Sequence, residues 1–306
     1  MFTAMRLIAS VAVSVLIAGA CHLDAQFAYT ITDLGTLGGK ESHAKGINAS
    51  GDVVGSSDTD KDTHAFRGSG VDQHAFLYSG KQMHDLETFG GADSEAHAIN
   101  DAGDIVGITR HDGGESSGFC HLFLYRNGKG QILKPFQVMC DAAGINGVGQ
   151  IVGFQSESDE IVAFLYSGGG FHDLGTLGGK VSVAEAVNAT GQVVGRSYTK
   201  DGYYHAFLYS DGNIQDLGTL GGLESYADAI NAKGQIVGGA DPPGGSEDEF
   251  FHIEKGDVRG ESTRCRAFLY SHGKMEVLDR RGDSSLPQGP ASPASRGGPV
   301  ERFFCL

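Results

Sequence analysis

The chain has 306 residues, of which 48 are glycine and none is tryptophan, and its formal net charge is -15. Glycine recurs at fixed positions of a long repeat and not at every third residue, which excludes a collagen helix and indicates many tight turns. An acidic surface repels phosphate groups, so nucleic acid is not expected as a partner, whereas cations, basic proteins and neutral glycans are compatible with it.

The N-terminus has the three parts of an export signal. Arg6 supplies the positive start, a short apolar stretch follows, and small residues at 18–20 form a cleavage site. Cys21 comes next and resembles the lipid-bearing cysteine of bacterial lipoproteins. We predict a signal peptide over residues 1–20, or to residue 25, and an extracellular or cell-envelope protein that is held at a membrane only if Cys21 carries lipid.

Five copies of the pattern NxxGx[IV]VG divide the rest of the chain, with Asn at positions 48, 100, 146, 188 and 231. This spacing is close to the ~40–45 residues of a four-stranded propeller blade. The asparagine and the glycine three residues later suit a tight hairpin turn, because the asparagine side chain bonds to nearby backbone and glycine accepts a positive φ.

Each repeat contains four short runs rich in Val, Ile, Phe and Tyr, which in the fourth repeat are Ser182–Val187, Gln192–Gly195, His205–Ser210 and Asn213–Gly218. Runs of this length and composition are typical of strands. We predict an all-β fold over residues 28–280, a β-propeller of about five four-stranded blades. The alternatives are an incomplete six-bladed propeller and an open repeat array. Residues 281–306 are rich in proline and are predicted to be a disordered tail.

Small residues occupy the positions six, four and two before every repeat asparagine. Neighbouring blades approach most closely around the propeller axis, so this run is predicted to be the innermost strand. The DLGT-type run of the outer strand occurs six times, whereas every other strand occurs five times. We therefore expect the N-terminal copy to close the ring by joining the last blade and displacing Met275–Asp279, because the alternative leaves an open edge.

The aromatic runs at His74–Ser79 and His205–Ser210, together with DLGTLGG at Asp33–Gly39, Asp173–Gly179 and Asp216–Gly222, resemble the HAF-family extracellular repeat. The resemblance covers most of the chain, although the signature histidine is missing from two repeats. It implies an exported repeat protein and brings no catalytic residues with it.

Polar side chains alternate with the small residues on the predicted inner strands, on the face where three long connections also emerge. These candidate ligand-binding residues are His43, Lys45, Glu95, His97, Asp141, Glu185, Tyr226 and Asp228. Such carboxylates and imidazoles can bind a divalent cation or sugar hydroxyls, and the alternative is that they are solvated or paired between blades. Asp58, Asp60 and Asp62 alternate as in a calcium loop, but Thr63 stands where that loop needs glycine, so a solvated acidic loop is the competing interpretation of this Ca²⁺ candidate.

The sequence contains none of the common nucleophile, zinc, P-loop or dinucleotide motifs, and no catalytic residue is assigned. We predict an exported, non-catalytic binding or interaction module without a cofactor, whose partner is an unidentified extracellular glycan, cation or surface protein. The alternatives are a propeller hydrolase or lyase acting on polysaccharide through the inner carboxylates, and a structural surface protein. We also expect no disulfide inside the propeller, because Cys120 and Cys140 are predicted to lie on well-separated strands.

Overall fold

The structure, a computed structural model, describes residues 31–60, 73–110, 120–135, 139–157, 159–244 and 265–278. These residues form twenty β-strands and contain no helix, and therefore none that could cross a membrane. The signal peptide, the tail, Asp62 and most of the three long connections lie outside the described residues, so the predictions about them stay predictions.

Each group of four consecutive strands forms one antiparallel meander, which we call a blade. Blades 1 and 2 contain β1 (Gly38–Ile47), β2 (Val53–Thr59), β3 (Gln73–Ser79), β4 (Gln82–Asp85), β5 (Asp93–Ile99), β6 (Ile105–Arg110), β7 (Cys120–Arg126) and β8 (Lys129–Pro135). Blades 3 to 5 contain β9 (Cys140–Ile145), β10 (Ile151–Glu157), β11 (Glu160–Ser167), β12 (Gly170–Asp173), β13 (Gly178–Val187), β14 (Val193–Thr199), β15 (Tyr204–Ser210), β16 (Asn213–Asp216), β17 (Ser225–Ile230), β18 (Ile236–Ala240), β19 (Arg266–Ser271) and β20 (Lys274–Val277).

The predicted all-β propeller class is confirmed by this arrangement. The first strands of successive blades lie beside one another, as expected for strands around a common axis. In the fourth repeat, the predicted runs agree with β13 to β16 to within a few residues. A single parallel pairing, Ile161 with Val181, joins the sheets of blades 3 and 4.

The hydrophobic core lies between the blades. Val54 of blade 1 belongs to the same buried cluster as Ala96 and Ile105 of blade 2, and three similar clusters lie between the later blades. The aromatic strand of every blade contributes one fully buried phenylalanine: Phe76, Phe123, Phe164, Phe207 and Phe268. Burying such a side chain contributes about 1.5–3 kcal/mol, which explains why this letter recurs in every repeat.

The small residues of the first strand are required by this packing. The Ser94 hydroxyl accepts a hydrogen bond of 2.8 Å from the Ala75 amide of the preceding blade and donates one of 2.6 Å to the Glu87 carbonyl. Ser182 and Ser225 repeat both contacts in blades 4 and 5. The serine therefore fixes the first strand of one blade over the third strand of the blade before it.

The glycine that ends the NxxGx[IV]VG pattern lies opposite a β-bulge in the first strand. At Gly153, an added Cβ would overlap the carbonyl oxygen of Asp141, and the glycine of each other blade meets the matching carbonyl in the same way. The register shift on the first strand lies at the same place in all five blades. This glycine is therefore required by a close approach of two backbones.

The repeat asparagine has the predicted role in its turn and a second role between blades. In blade 3 the Asn146 carboxamide oxygen accepts hydrogen bonds from the amides of Val148 (3.2 Å) and Gln150 (2.9 Å). Its amide nitrogen donates to the carbonyl of Asn188, the equivalent asparagine of blade 4, at 2.9 Å. Asn48, Asn100 and Asn188 donate to the following blade in the same manner.

The expectation that no disulfide forms is wrong. Cys120 and Cys140 are joined, with Cα atoms 5.9 Å apart. The expectation treated their strands as distant members of sheets, but β9 of blade 3 packs directly on β7 of blade 2. Cys140 occupies the position held by Ser94 and Ser182 in other blades, where the side chain reaches the preceding blade, so a cysteine there lies within bridging distance.

The expected displacement of the last outer strand by the N-terminal repeat is also wrong. β20 pairs with β19 as the fourth strand of blade 5, and residues 31–36 form no strand. The hairpin between β19 and β20 needs only a two-residue turn, His272 and Gly273, which both adopt a positive φ. A local partner of this kind forms at a much smaller loop-closure cost than a partner from the other end of the chain.

Candidate functional site

The bulge of each first strand places one variable residue at the inner edge of the blade. This residue precedes the repeat asparagine by three positions and is Lys45, His97, Ala143, Glu185 or Asp228. A bulge leaves its extra residue out of the ladder and redirects its side chain, and bulges are common beside functional sites. Four of the five bulge residues belong to the candidate set predicted from sequence.

Blades 1, 2 and 3 bring four of the candidates into one network, which we call the axial network: Lys45, Glu95, His97 and Asp141. Lys45 Nζ lies 2.7 Å from Glu95 Oε2 and 3.1 Å from His97 Nε2. His97 Nε2 also lies 3.1 Å from Glu95 Oε2, while its Nδ1 contacts Asp141 Oδ1. The imidazole is thus held between two carboxylates that come from neighbouring blades.

Arg110 completes the network from the end of β6. Its NH1 lies 2.9 Å from Asp93 Oδ1 and 3.2 Å from Glu95 Oε1, so each oxygen of Glu95 has a cationic partner. Sequence analysis missed Arg110 and Asp93. They occupy the last residue of β6 and the first residue of β5, which pair in the ladder, and this register is the signal that would have identified them.

The network holds its members in defined charge states. Burial opposes ionisation of Glu95, but hydrogen bonding to His97 and the charges of Arg110 and Lys45 outweigh it, so the pKa of Glu95 lies far below its ordinary range. Burial likewise opposes protonation of His97, yet the charge and hydrogen bond of Asp141 prevail and raise the pKa of His97. The network therefore favours the ionised form of Glu95 and the protonated form of His97.

The network is shielded but reachable. The side chains of His97 and Glu95 are 8% and 14% exposed, whereas those of Asp141 and Lys45 are 30% and 36% exposed. The two partly exposed groups form the solvent side of the network. A ligand can thus contact Lys45 and Asp141 directly, and these two residues in turn contact the more buried Glu95 and His97.

Blade 4 carries a different cluster at the same end of its strands. Glu185 Oε1 lies 3.3 Å from Arg196, whose guanidinium lies 5.7 Å from the centre of the Tyr204 ring. Tyr204 stacks on Tyr198 with ring centres 4.0 Å apart. We call Arg196, Tyr198 and Tyr204 the aromatic cluster, and sequence analysis did not identify it.

The remaining candidates lie near these groups without joining the axial network. The Tyr226 hydroxyl lies 3.4 Å from the Cys265 sulfur, and burial, with the charge of Asp228, raises the pKa of Tyr226 to about 12. Asp228 is exposed. His43 is also exposed and lies 3.9 Å from Glu41. The structure therefore unites half of the predicted set and leaves His43, Glu185, Tyr226 and Asp228 outside the network.

The signature histidine of the aromatic strand has a structural partner. His205 Nδ1 lies 2.8 Å from Asp216 Oδ2, and His74 repeats the contact with Asp85 at 2.9 Å. Each pair links the third strand to the aspartate of the DLGT-type run in the fourth strand, which explains why the two motifs occur together. The His205 pair borders a shallow depression of blade 4 and is distant in the fold from the axial network.

The calcium candidate is only partly described. Asp58 is buried and accepts a hydrogen bond of 3.3 Å from the Gln73 amide, while Asp60 is exposed and Asp62 lies outside the described residues. Within the described ranges, no three carboxylate, imidazole or thiol side chains are grouped as metal ligands. Calcium binding at Asp58, Asp60 and Asp62 stays a prediction.

No protein-family model and no curated protein matches the sequence. Among solved structures, the chain is similar to acylaminoacyl peptidase from Pyrococcus horikoshii, with 13% identity and a TM-score of 0.49 over 74% of this chain and 36% of that one. It is also similar to the β-propeller domain of the Trilobed protease from Pyrococcus furiosus, with 13% identity and a TM-score of 0.49 over 76% of this chain and 66% of that one. The chain thus spans about a third of the length of the first peptidase.

These comparisons correct the main functional prediction, which was an exported non-catalytic binding or interaction module. The similar solved structures are a peptidase and a protease domain. That prediction is therefore wrong, and its alternative, a propeller hydrolase or lyase, agrees better with them. What is similar is the fold alone.

Proposed function

We propose that the axial network is an acid–base catalytic site and that the propeller cleaves a polysaccharide by hydrolysis or elimination. One observation carries the proposal: three blades place His97 between the carboxylates of Glu95 and Asp141, with Lys45 beside them. Perturbed acids and bases of this kind are concentrated at functional sites. Catalytic residues gathered from several blades also account for the lack of a linear motif.

The charge states assign a role to each member. The raised pKa of His97 favours the protonated imidazole, which can donate a proton to a leaving oxygen. The lowered pKa of Glu95 keeps that carboxylate ionised and weakly basic, so its role is to stabilise positive charge beside His97. Asp141 orients the imidazole through Nδ1, and Lys45 holds the solvent side of the network.

The aromatic cluster favours a sugar as the substrate. Aromatic faces beside a few charged and hydrogen-bonding groups are typical of sites that hold small polar ligands. Tyr198 and Tyr204 form a stacked aromatic pair, and Arg196, which also pairs with Glu185, adds donors for hydroxyl or carboxyl oxygens. The export signal predicted at residues 1–20 and the HAF resemblance support an activity outside the cytoplasm or in the cell envelope.

The test incubates the purified chain with a panel of neutral and uronate-containing polysaccharides. Release of reducing ends reports either reaction, and ultraviolet absorption by unsaturated ends reports elimination. Because a general acid or base contributes about 10²–10⁴-fold, His97→Gln and Glu95→Gln should each reduce turnover at least about a hundredfold. His205→Gln, which alters a histidine–aspartate pair away from the network, is the control and should retain activity.

Full activity in both network variants would refute the assigned site. The comparison with peptidases supplies a second substrate class, so acylated peptides belong in the same assay. Peptide cleavage that depends on His97 and Glu95 would keep the site and replace the polysaccharide by a peptide. No cleavage of either class by a folded protein would refute the proposed function.

A further inference from the structure

Each internal junction between blades is built from the same two halves. The preceding blade contributes a fully buried valine of its second strand: Val54, Val106, Val152 or Val194. The following blade contributes an alanine of its first strand, at most 1% exposed: Ala96, Ala142, Ala184 or Ala227. Ile99 of blade 2, which is 8% exposed, belongs to the same core cluster as Val54 of blade 1, so it is buried in the junction between the two blades.

The same two halves are exposed at the ends of the array. Val237 of blade 5 is equivalent to Val54 but is 38% exposed. Ile47 of blade 1 is equivalent to Ile99 but is 69% exposed, and Ala44, equivalent to Ala96, is exposed too. Among the described residues, no packing comparable to the internal junctions joins blade 5 to blade 1.

The asparagine contacts end at the same place. Asn48, Asn100, Asn146 and Asn188 each donate to a carbonyl of the next blade. Within the described residues, the Asn231 side chain bonds only inside its own turn, to Lys233 and Gln235, although its carbonyl accepts the bond from Asn188. Blade 5 therefore presents an apolar face with a spare amide donor, and blade 1 presents the matching apolar face.

We propose that a second copy of this chain covers these faces head to tail, with the blade 5 face of one copy packed on the blade 1 face of the other. The occupant follows from continuity, because the chain carries both halves of a junction that it already forms four times. Repeat proteins with uncovered ends normally have polar outer faces, and these faces are apolar. Such a contact joins unlike surfaces, so two copies can close a ring in which both faces are buried.

The proposal concerns assembly and is independent of the proposed catalysis. Sedimentation velocity of the full purified chain should show two or more copies that dissociate on dilution. Val237→Asp and Ile47→Lys should each give single chains with an unchanged circular dichroism spectrum, because both side chains are exposed in the isolated chain. Val148→Asp is the matched control, since Val148 is 74% exposed in a turn of blade 3, and it should leave the mass unchanged.

Mixing the two single-chain variants gives the sharpest test. In a mixed pair, one junction keeps Val237 against Ile47, and the other sets the new aspartate against the new lysine. Assembly should therefore return in the mixture and in neither variant alone. A wild-type chain that stays single at all concentrations would overturn the proposal, as would variants that lower the melting temperature of a single-chain protein, since that result would show closure within one chain.

Discussion

The asparagine at the end of each first strand offers a direct measurement of how strongly neighbouring blades are coupled. Asn146 accepts two backbone hydrogen bonds in its own turn, donates to Gln150 Oε1 at 2.7 Å, and donates to the Asn188 carbonyl of the next blade. The Asn231 side chain makes the same three local bonds and, within the described residues, none to another blade. Asn146→Ala and Asn231→Ala thus form a pair that differs in one interblade bond and in burial.

The expected difference follows from the environment of the lost bond. The local bonds of the exposed Asn231 are replaced by bonds to water, so its removal should cost about 1 kcal/mol. Asn146 is 5% exposed, and its removal also leaves the Asn188 carbonyl without this donor in a buried place. The Asn188 carbonyl keeps a hydrogen bond of 3.1 Å from the Gly191 amide, so the variant loses one buried hydrogen bond and leaves no bare carbonyl. Such a bond is worth about 1 kcal/mol, so Asn146→Ala should cost about 1 kcal/mol more than Asn231→Ala.

Urea unfolding followed by far-ultraviolet circular dichroism measures both changes, and it suits a chain that has no tryptophan. In thermal unfolding, the same difference corresponds to about 2–4 °C for a domain of this size. Equal losses in the two variants would refute the reasoning, because they would show that the asparagine stabilises only its own turn.

Three further outcomes are expected from single substitutions. Cys140→Ser opens the disulfide with Cys120, whose two cysteines are 20 residues apart in sequence. Under non-reducing conditions this change should lower the free energy of unfolding by about 3 kcal/mol and lower the urea midpoint with it, whereas an unchanged midpoint would contradict the prediction. Gly153→Ala should cost more than about 3 kcal/mol or prevent folding because the Cβ meets backbone, while Gly147→Ala, with open space around it, should be nearly neutral in the same assay. Because the pKa of His97 is raised in the folded protein, protonation of His97 contributes its full stability below the ordinary pKa of 6.5, and this contribution is lost as the pH rises through the folded pKa. The melting temperature should therefore fall over that pH range in the wild type and much less in His97→Gln.

Part of the candidate site could be predicted from the alternation of residues along the inner strands. Alternation placed Lys45, Glu95, His97 and Asp141 on one face, and the structure joins them in one network. The pattern could not show that Arg110 would be their fifth member, because its contribution depends on the ladder register at the far end of the second strand. It also could not distinguish these four from Glu185, which pairs with a cation of its own blade.

Sequence alone determined the local structure of this protein. Strand lengths, turns and the small face of the first strand follow from period-two alternation and from the chemistry of asparagine and glycine, which act within a few residues of each other. Tertiary structure decided how the blades are stacked. The first strand of one blade lies over the third strand of the blade before it, which brings Cys140 to Cys120 and His97 between Glu95 and Asp141. That offset is fixed by the packing of side chains from distant repeats, and no periodicity within one repeat contains it.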